Sequence, residues 1–229
     1  MNWWIFVQLY QWVVIPPNTP ADYLLSDAAF FAQARSQQPL NLDHPDTLLL
    51  DVAIFQATNE VRRQFGLSAF LYDPGLYQAA RTHAESMIQK HYYGHDNFYS
   101  LAELTSAKRI KRYTNRFNYT AENIGQYPTI DTPDYFSARY NGNTHQYEYF
   151  DVETKKLYRP FSYAGYARTA VQEWLHSLHH RASLLSPLYT HIGCAARLSP
   201  NPYSERRPPF GRLVQNFGAQ CTSQLPTTH

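Results

Sequence analysis

Apolar residues recur with helical spacing in four long stretches of the chain. From 21 to 37, Tyr23, Leu24, Ala28, Phe31 and Ala32 share a stripe, just after Pro16, Pro17 and Pro20 have ended the preceding segment. From 47 to 65, Leu50, Ile54, Ala57 and Val61 do the same, with Asp46 as N-cap and Gly66 as the stop. Asp73-Pro74 is a strong helix start, a capping carboxylate followed by proline in the first turn, and predicts a helix running to about 91. Leu76, Ala80, His83 and Met87 fall on one face of it. The fourth stretch, 164–179, buries Ala170, Val171, Trp174, Leu175 and Leu178.

Elsewhere the period changes. Residues 99–112 read as a further short helix. Residues 126–162 have no helical period, and Asn141-Gly142 marks a turn beside a hairpin-like run, YEYFDVETKKLYRPF. Two strands, about 189–198 and 210–219, flank a loop with four prolines. Helices, an irregular middle, then a helix and a strand pair predict one mixed domain of α/β or α+β class.

Composition refines this picture in two places. The chain has 229 residues, 44% hydrophobic and 17% charged, which is globular and excludes disorder as its main state. Its net charge of +2 is too small for a nucleic-acid partner without a clustered basic face. Aromatic residues reach 16%, with 19 Tyr, which implies a polar, aromatic-lined surface or cleft. The opening MNWWIFVQLYQWVVIPP holds Trp3, Trp4 and Trp12, but lacks the basic start and small-residue cleavage site of a secretory signal. It is also too short to span a bilayer, so we expect it to pack on the domain, with a membrane surface as the alternative. Cys194 and Cys221 allow one disulfide or two buried thiols.

No phosphate loop, dinucleotide fingerprint, serine elbow or zinc-protease HExxH is present. Ten histidines remain. His176 and His180 are four apart and share a face if the helix persists through them, a zinc-ligand geometry without the accompanying Glu. His83 reads as a satisfied core histidine. His95 follows Gly94, whose freedom to turn would project it from a loop. Glu122 is the one carboxylate in AENIG.

These fragments, in this order, resemble the CAP superfamily (cysteine-rich secretory proteins, antigen 5 and pathogenesis-related proteins), also called the SCP domain, in its bacterial branch. The matching pieces are ATNEVRRQFGLSAFLYDPGLYQAARTHAESM, HYYGH, AENIG, AVQEWLHSLHHRASLLSPLYTHIGCAA and LVQNFG. The resemblance implies a three-layer α-β-α sandwich with a small, mostly antiparallel sheet and a central cleft. It divides the chain into an aromatic N-terminal extension with one helix (1–47), the CAP/SCP domain (48–221) and a tail (222–229). A Tyr-rich insertion at about 126–165 is expected beside the cleft, covering it or extending its rim.

Carried over residue by residue, the resemblance makes His95, Glu122 and His180 cleft residues. His180 stands thirteen residues before Gly193, the offset seen in members that place this histidine ahead of the G-C strand. The family's second Glu position is Ser177 here, so the four-residue site is incomplete. His176 and Ser177 are neighbours that could modify it. His95, Glu122 and His180 form a candidate zinc triad, zinc being the one cofactor considered, and no catalytic residue is assigned. The resemblance implies an extracellular or cell-envelope protein that binds a small-molecule or lipid-like ligand without catalysis. The alternatives are a zinc-dependent hydrolase using His95, Glu122 and His180, and an envelope adhesion protein using the tryptophans.

Overall fold

In the computed structural model, residues 16, 19–133 and 135–220 are described. The tryptophan-rich opening, the tail and Cys221 lie outside them. The helices are α1 (Asp27–Phe31), α2 (Thr47–Gln64), α3 (Pro74–Gln89), α4 (Ser106–Tyr113), α5 (Tyr163–His176) and α6 (Leu178–Leu184). The strands are β1 (Leu71–Tyr72), β2 (Tyr119–Pro128), β3 (Ser137–Asn141), β4 (Gln146–Phe150), β5 (His191–Leu198) and β6 (Phe210–Ala219). The central sheet has the order β1-β5-β6-β2, antiparallel except for the β1–β5 pair, and β3–β4 is a separate hairpin.

Strand alternation sorts the two faces of this sheet. Ile192, Cys194, Ala196, Leu213 and Phe217 join the large core with α2 and α5. Ala195, Val214 and Ile124 pack on the other face against Ala80, Ala84 and Met87 of α3. The result is the α-β-α sandwich that the resemblance implies. Gly193 sets the spacing of its second layer: a Cβ there would lie 2.0 Å from Tyr77 N and 2.2 Å from Leu76 C, so the α3 backbone rests directly on β5. Asp51 of α2 ties the layers together. Fully buried, it accepts from Ala196 N at 2.7 Å, Arg197 Nη1 at 3.1 Å and Tyr77 Oη at 3.0 Å. Burial pushes its carboxyl up to about 6 despite Arg197.

The structure sharpens four readings of the sequence. The first helix is broken into a 3₁₀ turn at Ala21–Leu24, the short α1 and a second 3₁₀ turn at Ala34–Gln37. Ser26 caps α1 by accepting from Ala29 N, and Gln56 takes the carbonyls of Asp22 and Leu25, which a continuous helix would need for itself. Cys194 is a free, fully buried thiol facing α2, one of the two arrangements open to it in sequence, and Cys221 lies outside the described residues. β2 is a full ten-residue strand, although only its AENIG portion drew notice in sequence.

The tyrosines of the insertion are the fourth. Tyr149 of the insertion and, beside it, Tyr163 and Tyr166 of the first turn of α5 are buried, and their hydroxyls pin loops: Tyr149 donates to Glu205 O (2.7 Å) and Arg207 O (3.0 Å), and Tyr166 to Tyr127 O (3.1 Å). Tyr163 Oη accepts from Asp46 N at 2.8 Å. The β3–β4 hairpin docks on the loop between β5 and β6, with Tyr147 N donating to Tyr203 O. A groove of about 260 Å³ beside it, between Tyr127, Phe136, Arg207 and Phe210, lies at the Pro128 end of β2. At ~3.3 Å per residue that is roughly 20 Å from Glu122.

Candidate functional site

β2 is an edge strand of the sheet, and its alternation is what builds the site. Glu122 pairs in register with Asn216 and points to the α3 side, whereas Asn123 pairs with Gln215 and points to the α5 side. Trp174 Nε1 donates to Ile124 O at 2.9 Å and fixes α5 to this strand. Asn123 Nδ2 donates to His180 O at 3.1 Å, which brings α6 over the same stretch.

His95 arrives by a different route from the one expected. Gly94 does not have a positive φ, and the sharp reversal is made at His91, with φ 55°. Tyr92 N donates to Met87 O and His91 N to Ile88 O, the paired bonds of a Schellman cap ending α3. Arg212 of β6 also donates to the carbonyls of Met87 and Tyr92, fixing the start of the loop. His83, fully buried as expected, sits at 3.0 Å from Gly94 O through Nε2. A carbonyl only accepts, so Nε2 carries the proton and Nδ1 faces the Tyr92 hydroxyl at 3.3 Å. Burial pushes this imidazole down to about 4, so His83 is neutral.

The loop then places His95 Nδ1 3.0 Å from Glu122 Oε1. The carboxylate only accepts, so Nδ1 donates and Nε2 faces outward from a side chain that is 53% exposed. Glu122 is buried, and its second partner is Arg109 of α4, whose Nη2 lies 2.9 Å from Oε1 and 2.8 Å from Oε2. Arg109 is itself fully buried and also donates to Glu103 O (2.7 Å) and His95 O (2.9 Å). Asn216, its amide nitrogen turned to the carboxylate, donates to Oε2 at 3.1 Å. Burial works to raise Glu122. The bond from His95 and the charge of Arg109 outweigh it and hold the carboxyl below its ordinary value. The same bond to Glu122 raises His95 above the ordinary imidazole value. His180 is lowered, first by burial and then by the charges of His95 and His179.

The structure therefore joins His95 directly to Glu122 and brings His180 close enough to feel the charge of His95. It separates His180 from His176. The helix breaks at Ser177, whose extended ψ of 121° ends α5 and starts α6, so the HxxxH pair does not share one helical face. His176 is exposed at the end of α5, and Ser177 makes no capping bond with its side chain. Arg109 is the partner that sequence reasoning missed. It lies in a basic run, Lys108, Arg109, Lys111 and Arg112, and nothing in that run marks which member turns inward.

A zinc ion at Glu122 does not fit this arrangement. Zinc needs carboxylate oxygens at ~2.0–2.2 Å with free lone pairs. Here both oxygens face a guanidinium, and His95 and Asn216 take what remains. Among the described residues, no group of three or more His, Cys, Asp or Glu is placed to hold a metal. The cavities also lie elsewhere. One of about 250 Å³, between Tyr23, Leu25, Phe55, Phe70 and Tyr72, is mostly apolar; the groove at the hairpin has about 260 Å³, and wider clefts lie beside Asp43 and Pro200 (about 750 Å³) and beside Lys156 and Phe161 (about 480 Å³). None of these is lined by His95, Glu122 or His180.

An α-β-α sandwich whose edge strand carries a glutamate bonded to a loop histidine defines a class, and the sequence match names it. The pattern of the cysteine-rich secretory protein (CAP) family matches residues 55–217, and the chain belongs to that family. Among solved structures it is similar to an extracellular SCP-domain protein of Bacillus anthracis, at 22% identity over 76% of this chain and 41% of that one, with a TM-score of 0.47. An outer surface protein of Borrelia burgdorferi matches at 17% identity over 73% of this chain and 90% of that one, TM-score 0.46. The CAP domain of enterococcal PrgA matches at 15% identity over 95% and 89%, TM-score 0.40. The chain spans about two fifths of the Bacillus anthracis protein's length. Among curated proteins none matches. No described helix is long and apolar enough to cross a membrane.

Proposed function

We propose that the chain is an extracellular or cell-envelope binding module that receives a small ligand at the edge of β2, between His95 and His180, without transforming it. One observation carries this reading: Glu122, the only carboxylate of the three family positions, is buried and shared between Arg109 and His95. A carboxylate so committed is a poor general base, because any proton it took would break an ion pair in a low-dielectric setting. What the site offers outward is the exposed edge of His95 and the half-buried His180. The placement outside the cell rests on family membership and on relatives described as extracellular or outer surface proteins.

The test is recovery of a bound compound. The purified chain is incubated with a mixed extract of lipids and glycans, re-purified and analysed by native mass spectrometry, beside a His95→Ala/His180→Ala variant of unchanged melting temperature. We expect a compound retained, unmodified, by the native chain and lost from the variant. The same compounds on both proteins would sink the site. A hydrolysed compound would favour the zinc-hydrolase alternative.

A further inference from the structure

We infer that the apolar groove between Tyr23, Phe55, Phe70 and Tyr72 is the seat of the chain's own residues 1–15, with the ring of Trp12 as the group that enters it. The groove shares no residue with the site at His95, and nothing about its occupant depends on that site.

The walls suit an aromatic occupant. Tyr23 stacks on Tyr72 with centroids 4.0 Å apart and meets Phe55 edge-on at 5.1 Å, and Phe70 completes the lining. Rings gain from the offset and edge-to-face company of other rings beyond the area they bury. The groove, of about 250 Å³, has room for an indole, since a benzene ring is held in an apolar cavity of ~150 Å³. Among the described residues no charged side chain lines it, and Leu24 at its rim is 55% exposed. Water against such walls is unfavourable, and an apolar side chain laid over them removes it.

The described chain starts at the rim of this groove. Pro16 lines it, and Thr19 holds Pro16 there, donating to its carbonyl from N (3.2 Å) and from Oγ1 (2.7 Å). Residues 1–15 therefore join the fold at the groove itself. They carry no charged side chain, which matches the uncharged lining, and they end in Trp12-Val13-Val14-Ile15. A residue before proline is kept out of the helical region, so the segment meets Pro16 as extended chain. Four residues of such chain reach up to ~14 Å, and Trp12 is the first ring within that reach. The tether also decides against a free apolar compound. A segment joined at the rim is present at roughly millimolar effective concentration, which a dilute ligand does not match.

The test uses the full chain labelled with fluorotryptophan. Fluorine NMR gives one signal for each of Trp3, Trp4, Trp12 and Trp174, assigned by changing each of the first three to Phe in turn. The shift between light and heavy water reads how far each ring is wetted. We expect Trp12 to be protected in the native chain, and its solvent shift to rise to the urea-unfolded value in Leu24→Glu and in Ala69→Glu. Both positions line the groove and are exposed, so neither change touches the core, and the signal of the fully buried Trp174 reports that the fold is intact. A Trp12 ring already at the unfolded value in the native chain overturns the proposal, and so does protection that both variants leave in place. Protection that fades on dilution gives the groove to a second copy's segment. Protection that arises only with vesicles of equimolar phosphatidylglycerol and phosphatidylcholine gives residues 1–15 to a membrane surface. Either of these outcomes also overturns it.

Discussion

Arg109 Nη2 stands 2.9 and 2.8 Å from the two oxygens of Glu122, and both side chains are buried. Each is therefore the other's condition for being charged inside the protein. Arg109→Met and Glu122→Gln should each lose about 3–5 kcal/mol, the usual cost of stranding one member of a buried pair. The double variant should lose clearly less than the sum, since it strands nothing. Urea unfolding of the four proteins measures the cycle, and additive losses would mean the pair is not coupled.

The two long helices that precede the site end alike with different residues. Gly66 closes α2 with φ 69°, and His91 closes α3 with φ 55°. The left-handed conformation costs a non-glycine residue ~1–2 kcal/mol, so His91→Gly should stabilise the protein by about 1 kcal/mol. Thermal melting reads this directly. A lower melting temperature in the variant would show that the His91 side chain has a role beyond the cap.

Gly193 lies against the backbone of α3, within 2.0–2.4 Å of where a Cβ would stand. No side-chain rotation can relieve that overlap. Gly193→Ala should cost about 3 kcal/mol or more by forcing the helix off the sheet. A loss below about 1 kcal/mol by urea unfolding would mean that α3 shifts easily.

His83 gives stability a pH dependence with a definite sign. Its folded value, about 4, lies below the ordinary 6.5 because burial disfavours its charge. The unfolded chain thus binds the proton first. The contribution is complete above about pH 6.5 and is lost as pH falls toward 4, some 3 kcal/mol at 1.36 kcal/mol per pH unit. His83→Gln lacks this proton. The gap between native and variant stability should therefore narrow from pH 7 to pH 4, and a constant gap would contradict the assignment.

Much of the fold was legible along the chain. Asp46 and Asp73 mark helix starts because their carboxylates accept the first free backbone N–H groups, and in the structure they accept from Leu49 and from Gly75 and Leu76. Gly66 marks an end for an equally local reason. The strand 210–219 was legible to the residue. His83 was legible as a core histidine from its place on an apolar stripe. In the first helix local signals conflicted: apolar spacing favoured one helix, and the Ser26 cap and Gln56, more than thirty residues away, favoured three pieces.

The site divides along the same line. The sequence, through its resemblance to the family, pointed to His95, Glu122 and His180 as cleft residues, and strand alternation explains why Glu122 and Asn123 serve opposite faces. Only the tertiary structure decided what Glu122 is bonded to. A helix places one arginine of a basic run inward according to where its neighbours pack, and the bond between Arg109 and Glu122 spans thirteen residues and two elements. It also decided that His176 and His180 part company, because Ser177 takes an extended backbone where helical spacing alone would run on. Local patterns reveal which groups are present. The charge of a buried site depends on the partner that packing delivers, and here that partner is a guanidinium.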